Sequence, residues 1–191
     1  MAEASARGRE RREQLVAAGV ACVIADGWAG ITHRRVAAGA HATTGLVRYH
    51  FGDVAGLRAA IASAVCESLA LPVPPRTIDR DSWVHEIARA ADDLSSRRDD
   101  AALLVHVMVG ALAYPEVSAV VREALAHVRS DMALALSLVE PPVPAERVDD
   151  LAATIVGLLD GLLLGELVVG APPGATARRV ATALDSLLAS S

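Results

Sequence analysis

Between Thr32 and Phe51 the sequence encodes two short helices around a tight break, and this stretch limits the possible folds more than any other. Thr32 can cap the first helix, because a threonine hydroxyl accepts from the free amides of an opening turn. Val36, Ala37 and Ala40 then make a small apolar face, and the break falls at Gly39-Ala40-His41-Ala42. Thr43 can cap the second helix, where Val47 and Phe51 stand four apart and face inward together. Thr44, Gly45, Arg48 and Tyr49 are left outward, a basic, hydroxyl-bearing and nearly smooth surface at the start of a helix. A major-groove reader needs such a surface: Gly45 lets the backbone approach DNA, and Arg48 offers a fork for guanine or phosphate. In a purely structural helix, glycine and paired threonines at these positions would be costly choices.

Gly27-Trp28, Thr32, Val36-Ala37, Gly45, Tyr49-His50-Phe51 and Leu57 stand at spacings that resemble the DNA-binding domain of the tetracycline-repressor (TetR) family. The resemblance runs without gaps from about Arg9 to Ile61 and departs from the family at three places. His41 stands where the family has its turn glycine, Arg48 where it has an aromatic residue, and Val54 where it has a lysine. The resemblance implies that His50 contacts phosphate. Together with the outward face, it assigns Thr32, Arg34, Thr43, Thr44, Gly45, Arg48, Tyr49 and His50 to a double-stranded DNA operator. It also implies a DNA-binding head over 1–53 and a helical effector-binding and dimerisation body over 54–191, joined by a connecting helix over 54–70.

Charge distribution agrees. The formal net charge is −5, which by itself disfavours nucleic acid. Yet residues 1–58 carry eight arginines against five acids, and the remainder ten against eighteen. A basic head on an acidic body suits a protein that presents one end to DNA. Arg7, Arg9, Arg11 and Arg12 lie on or before the first turn of a helix expected from about Arg7 to Asp26. Either they reach phosphate or a minor groove, or they form a solvated basic end. Cys22 and Cys66 sit in apolar helical patterns and read as reduced core residues. No cationic segment followed by an apolar one with a cleavage site opens the chain, so a cytoplasmic protein is expected.

Further along, aliphatic periodicity and punctuation by proline and glycine predict an all-α chain of about nine helices. Gly27 can take the left-handed position that ends the first helix. A connecting helix from Val54 to about Leu69 buries Leu57, Ile61, Val65 and Leu69, and Pro72, Pro74 and Pro75 end it. The next starts at Asp81 or Ser82 and buries Val84, Ile87, Ala88, Ala91 and Leu94. The helix from about Asp100 to Ala113 is apolar nearly all round and is expected to be central. Pro115 opens a long helix to about Val139, Pro144 another to about Val169, and a last helix spans Ala175 to Ala189. The run Leu151–Val169 is long enough to raise a membrane span, but Asp160 and Glu166 inside it are costly in lipid, so no membrane partner is expected.

No phosphate loop, dinucleotide fingerprint, nucleophile elbow or zinc-protease motif occurs, so neither an enzyme nor a cofactor is expected. The six histidines are scattered, which gives no metal site. The resemblance implies a ligand cavity in the body. Trp83, His85, His106, Met108, Tyr114, His127 and Asp160 are the sparse polar or soft groups among its aliphatic residues. Of these, Trp83, His106, Met108, Tyr114 and Asp160 are assigned to a small apolar effector, and His106 and Asp160 lead because each interrupts an apolar helix. The alternative for each is a hydrogen-bonded core residue.

Assembly is read from the helix Ala145–Val169. Ala153, Gly157, Gly161 and Gly165 recur every four residues as a smooth ridge, and Ile155, Leu159, Leu163 and Leu167 form a bulky one opposite. Each glycine inside such a helix costs about 1 kcal/mol relative to alanine, so close packing must offset it. In the resembling family the last two long helices of each subunit form a four-helix interface. That assigns Ala153, Gly157, Gly161 and Gly165, with Val180, Leu184 and Leu187 of the final helix, to a homodimer. The expected function is therefore a ligand-responsive repressor that leaves a palindromic operator when its effector binds. The rival is a helical-bundle enzyme or small-molecule carrier whose head is a docking surface.

Overall fold

Helix punctuation in this chain is local chemistry, and the computed structural model, which describes residues 2–69, 76–170 and 172–189, follows it closely. Nine α-helices occur among the described residues: α1 (Ala2–Asp26), α2 (His33–Gly39), α3 (Thr44–Phe51), α4 (Val54–Leu69), α5 (Arg80–Ser96), α6 (Arg98–Ala113), α7 (Pro115–Ser137), α8 (Ala145–Val169) and α9 (Ala175–Ala189). The all-α expectation holds, with one addition. Two short strands, β1 (Ile78–Asp79) and β2 (Val139–Glu140), pair in parallel, Ile78 opposite Val139 and Asp79 opposite Glu140.

Several boundaries differ from expectation. Helix α1 begins at Ala2 rather than near Arg7, since the alanine-rich opening contains no helix breaker before Gly8. Helix α5 begins one residue early, because Asp79 is its cap and accepts from the Ser82 amide at 2.9 Å. Helix α7 stops at Ser137 because Val139 leaves it to pair with β1. The prolines expected to end α4 lie outside the described residues.

The chain divides into two compact units. The first comprises Met1–Ser68 with Leu103–Glu123. In it α1 turns its Leu15 and Val23 inward, and a Cβ at Gly19 would run into the Ile61 side chain, so α1 and α4 pack at very close range. Gly27 ends α1 with φ +67°, and its amide donates to the Val23 carbonyl at 2.8 Å. A single 3-10 turn follows at Trp28–Gly30. The Trp28 indole is buried, fills the space a side chain at Gly110 would need, and donates to the His106 carbonyl at 2.5 Å. The expectation that α6 is central fails: Val109 is 56% and Leu112 91% exposed, so an apolar sequence does not bury this helix on every side.

The second unit comprises Leu69–Ala102 with Ala124–Ser191. Its core joins Trp83, Ile87 and Ala91 of α5, Met132 and Leu136 of α7, Ile155 and Leu159 of α8, and Val180, Leu184 and Leu188 of α9. Burial of this aliphatic surface, at about 25 cal/mol per Å², is the main driving force for the unit. A polar cluster that sequence reading missed ties α8 to α9. Glu166, only 6% exposed, accepts from the Thr176 hydroxyl and, at 2.7 Å, from Arg179 Nη1. The Ser95 and Thr176 hydroxyls lie 2.9 Å apart, and Asp92 accepts from the Ala177 amide at 3.3 Å. A buried carboxylate is tolerated only with such partners. Its signal was present as the acid inside an apolar run.

Candidate nucleic-acid interface

Threonine caps both helices of the motif. Thr32 Oγ1 accepts from the Arg35 amide at 3.2 Å, and Thr43 Oγ1 from the Leu46 amide at 3.3 Å. Between them the chain closes α2 with a Schellman motif: the His41 amide donates to the Ala38 carbonyl at 3.2 Å and the Ala42 amide to the Ala37 carbonyl at 2.8 Å. That geometry puts His41 at φ +48°, the left-handed region where the resembling family has glycine. An L-residue there costs roughly 1–2 kcal/mol, yet the turn keeps its shape.

Helix α3 separates its faces as the sequence indicated. Val47 and Phe51 are buried, while Thr44, Gly45, Arg48 and Tyr49 are exposed, Tyr49 by 82%. Leu46 and His50 are half-buried. A Cβ at Gly45 would meet nothing nearer than the Thr43 hydroxyl at 3.9 Å, so nothing inside the chain requires glycine there. Gly52, at φ +72°, ends the helix, and its amide donates to the Arg48 carbonyl at 2.8 Å. Asp53 then caps α4 through the Gly56 amide at 2.8 Å, and a Cβ at Gly56 would overlap the Phe51 carbonyl. Gly56 therefore sets the tight corner between α3 and α4, a role that sequence reading did not single out.

The other basic residues divide by environment. Arg34 is exposed on α2. Arg35 pairs with Asp26 across the 3-10 turn. Arg58 pairs with Glu116 at 3.2 Å and lies over the Tyr114 ring, 4.1 Å from its centroid.

With this geometry in place, the chain can be set beside known proteins. No protein-family model matches it, and no curated protein does. Solved structures do. A transcriptional regulator from Rhodococcus sp. Rha1 superposes with a TM-score of 0.77 at 22% identity, over 93% of this chain and 96% of that one. A member of the TetR family from Streptomyces coelicolor A3 matches with a TM-score of 0.72 at 27% identity, covering 92% of this chain and 98% of its own. The chain shares the fold of TetR-family transcriptional regulators. The multidrug binding protein EbrR, in complex with imidazole, is similar at 28% identity and a TM-score of 0.69, over 92% of this chain and 89% of that one. That shared fold supports a DNA-binding transcriptional regulator.

The residues assigned to an effector occupy both units of the chain. His106, Met108 and Tyr114 belong to the first and are half-buried, while Trp83 and Asp160 belong to the second. The Tyr114 ring is covered on one face by Arg58, and Trp83 is buried in the core with its indole nitrogen unpartnered. Burial pushes the Asp160 carboxyl above the usual carboxylate range, and the Arg129 charge pulls it part of the way back. His85 and His127 are exposed. A cleft of about 600 Å³ opens between α1 and α4, lined by residues including Val16, Ala17, Ala60, Ser63 and Ala64, and none of the assigned effector residues lines it.

On α8, Gly157, Gly161 and Gly165 are exposed, and a Cβ at any of them would meet nothing within 4 Å. Val168 and Val169 extend that open face, at 83% and 86% exposure. Ile155, Leu159 and Leu163 are buried opposite, and the side chain of Leu167 lies outside the described residues. The final helix does not lie along the glycine ridge of its own chain. Val180 and Leu184 are fully buried in the core, which corrects their assignment to an interface surface, and Leu187 is half-buried. Their spacing marks the inward face of α9, because one apolar stripe cannot serve core and partner alike.

Proposed function

We propose that this protein is a cytoplasmic homodimeric repressor that reads a palindromic operator through two copies of α3 and is released by a small apolar effector. In this reading residues 1–53 form the DNA-reading head and 54–191 the effector-binding and dimerisation body. The observation that carries it is the outward face of α3, where Gly45 costs helix stability, about 1 kcal/mol, with no compensating contact inside the chain. A helix backbone that must come close to a groove explains that glycine. The same logic applies to α8, whose open glycines and exposed Val168 and Val169 suit a second copy of the helix.

Thr44, Arg48 and Tyr49 then face base edges, with Thr32, Arg34, Thr43 and His50 on the backbone. Effector release needs no large motion: a ligand that prefers the form with mismatched head spacing shifts the population. EbrR, described as a multidrug binding protein, lends support for a ligand-responsive body. Replacing His106 or Asp160 by a residue of similar volume is expected to change ligand response and leave operator affinity of the free protein intact.

Selection from random duplexes tests the reading. The expected outcome is an inverted repeat with half-site centres about one helical turn apart, near 34–36 Å, or slightly more. Recovered sequences without a shared inverted repeat would overturn it.

A further inference from the structure

Two consecutive arginines of α1 meet opposite ends of the reading helix. Arg11 Nη2 donates to the His41 carbonyl at 3.1 Å, in the turn before α3, while its Nη1 donates to Gln14 Oε1 at 2.7 Å. Arg12 lays its guanidinium over the Phe51 ring, 5.3 Å from the centroid, at the last residue of α3.

A helix of 8 residues is too short to persist on its own in water, so its position depends on what holds it. The buried pair Val47 and Phe51 fixes its depth but leaves its two ends. The end nearer α2 is the more exposed to failure, because the turn there holds His41 in a left-handed conformation that favours glycine. A planar guanidinium is suited to this place: it can hold a side-chain oxygen of its own helix and a carbonyl thirty residues away with one rigid fork.

We propose that Arg11 and Arg12 are positioning residues of the reading helix, which clamp the turn before it and its final residue onto α1, and that neither serves to neutralise phosphate. The proposal rests on α3 being the element that reads DNA. It separates this pair from a solvated basic end, since both guanidinium groups have partners within the helix-turn-helix.

The test uses the full-length protein with Arg11→Ala, Arg12→Ala, and Arg11→Ala in a His41→Gly background. In DNA-free protein, amide hydrogen exchange over residues 44–51 is expected to accelerate about tenfold in each single variant, with exchange in α5 and α9 unchanged. Affinity for a duplex selected with the unaltered protein is expected to fall about three- to tenfold, with the salt dependence unchanged. His41→Gly is expected to restore most of the Arg11→Ala loss, because glycine adopts the turn without strain. If salt dependence instead weakens by about one unit per site while exchange stays the same, the arginines hold phosphate and the proposal is overturned. Unchanged exchange and unchanged affinity would overturn it equally. Should Arg11→Ala lose its fold, Arg11→Lys keeps the charge without the fork and carries the same expectation. If no duplex can be selected, the reading role of α3 has failed, and hydrogen exchange alone still decides whether the arginines hold the helix.

Discussion

Arg48 and Asp160 show how differently single residues of this chain are constrained. Arg48 is exposed on α3 with Thr44 one turn before it. If its fork engages guanine, Arg48→Ala is expected to cost about 1–3 kcal/mol and to relax preference at one base pair per half-site in a selection experiment. Even weakening across all sequences would mark a phosphate contact instead, and no change would exclude Arg48 from the interface. Asp160 is held above its usual pKa by burial. Its folded state therefore favours the protonated acid, so the stability it costs is absent below the unfolded pKa and grows as pH rises through the folded one. Asp160→Asn is expected to raise the melting temperature at neutral pH and leave it unchanged at acid pH below both values. A lower melting temperature at neutral pH would show that the carboxylate is a needed partner. At this scale the outward and inward residues of α3 were legible, because capping and the four-residue spacing are local. The contacts of Arg11, Arg58 and Trp28 were not, since each joins residues far apart in sequence.

Elements were legible where proline, glycine or a capping threonine marked them, as with α4, α8 and α9, whose limits match expectation. They were less so where pairing over distance intervened, as with the strand Val139–Glu140 that shortens α7. Burial of whole helices was harder still. The apolar α6 keeps Leu112 in solvent, and α9 spends its apolar stripe on its own core. Helix α8 offers the sharpest prediction among the elements. Gly161 has open space where a side chain would begin, so Gly161→Leu is expected to fold and to gain about 1 kcal/mol of helix propensity. Sedimentation is then expected to show a folded monomer, with native circular dichroism, that no longer binds operator. A fully dimeric and operator-competent variant would place the interface elsewhere.

For the molecule as a whole, the central claim is that a chain of net charge −5 binds duplex DNA through its basic N-terminal region. Several arginines of that region are engaged within the protein, Arg35 with Asp26 and Arg58 with Glu116 among them, while Arg34 and Arg48 are exposed. Binding to a selected duplex, measured across salt concentrations, tests the claim most directly. Each phosphate neutralised contributes about −0.9 to the slope of log affinity against log salt, so two copies each placing Arg34 on the backbone are expected to give about −2 or steeper. A flat dependence, or no binding at low salt, would contradict a DNA-reading role for this protein.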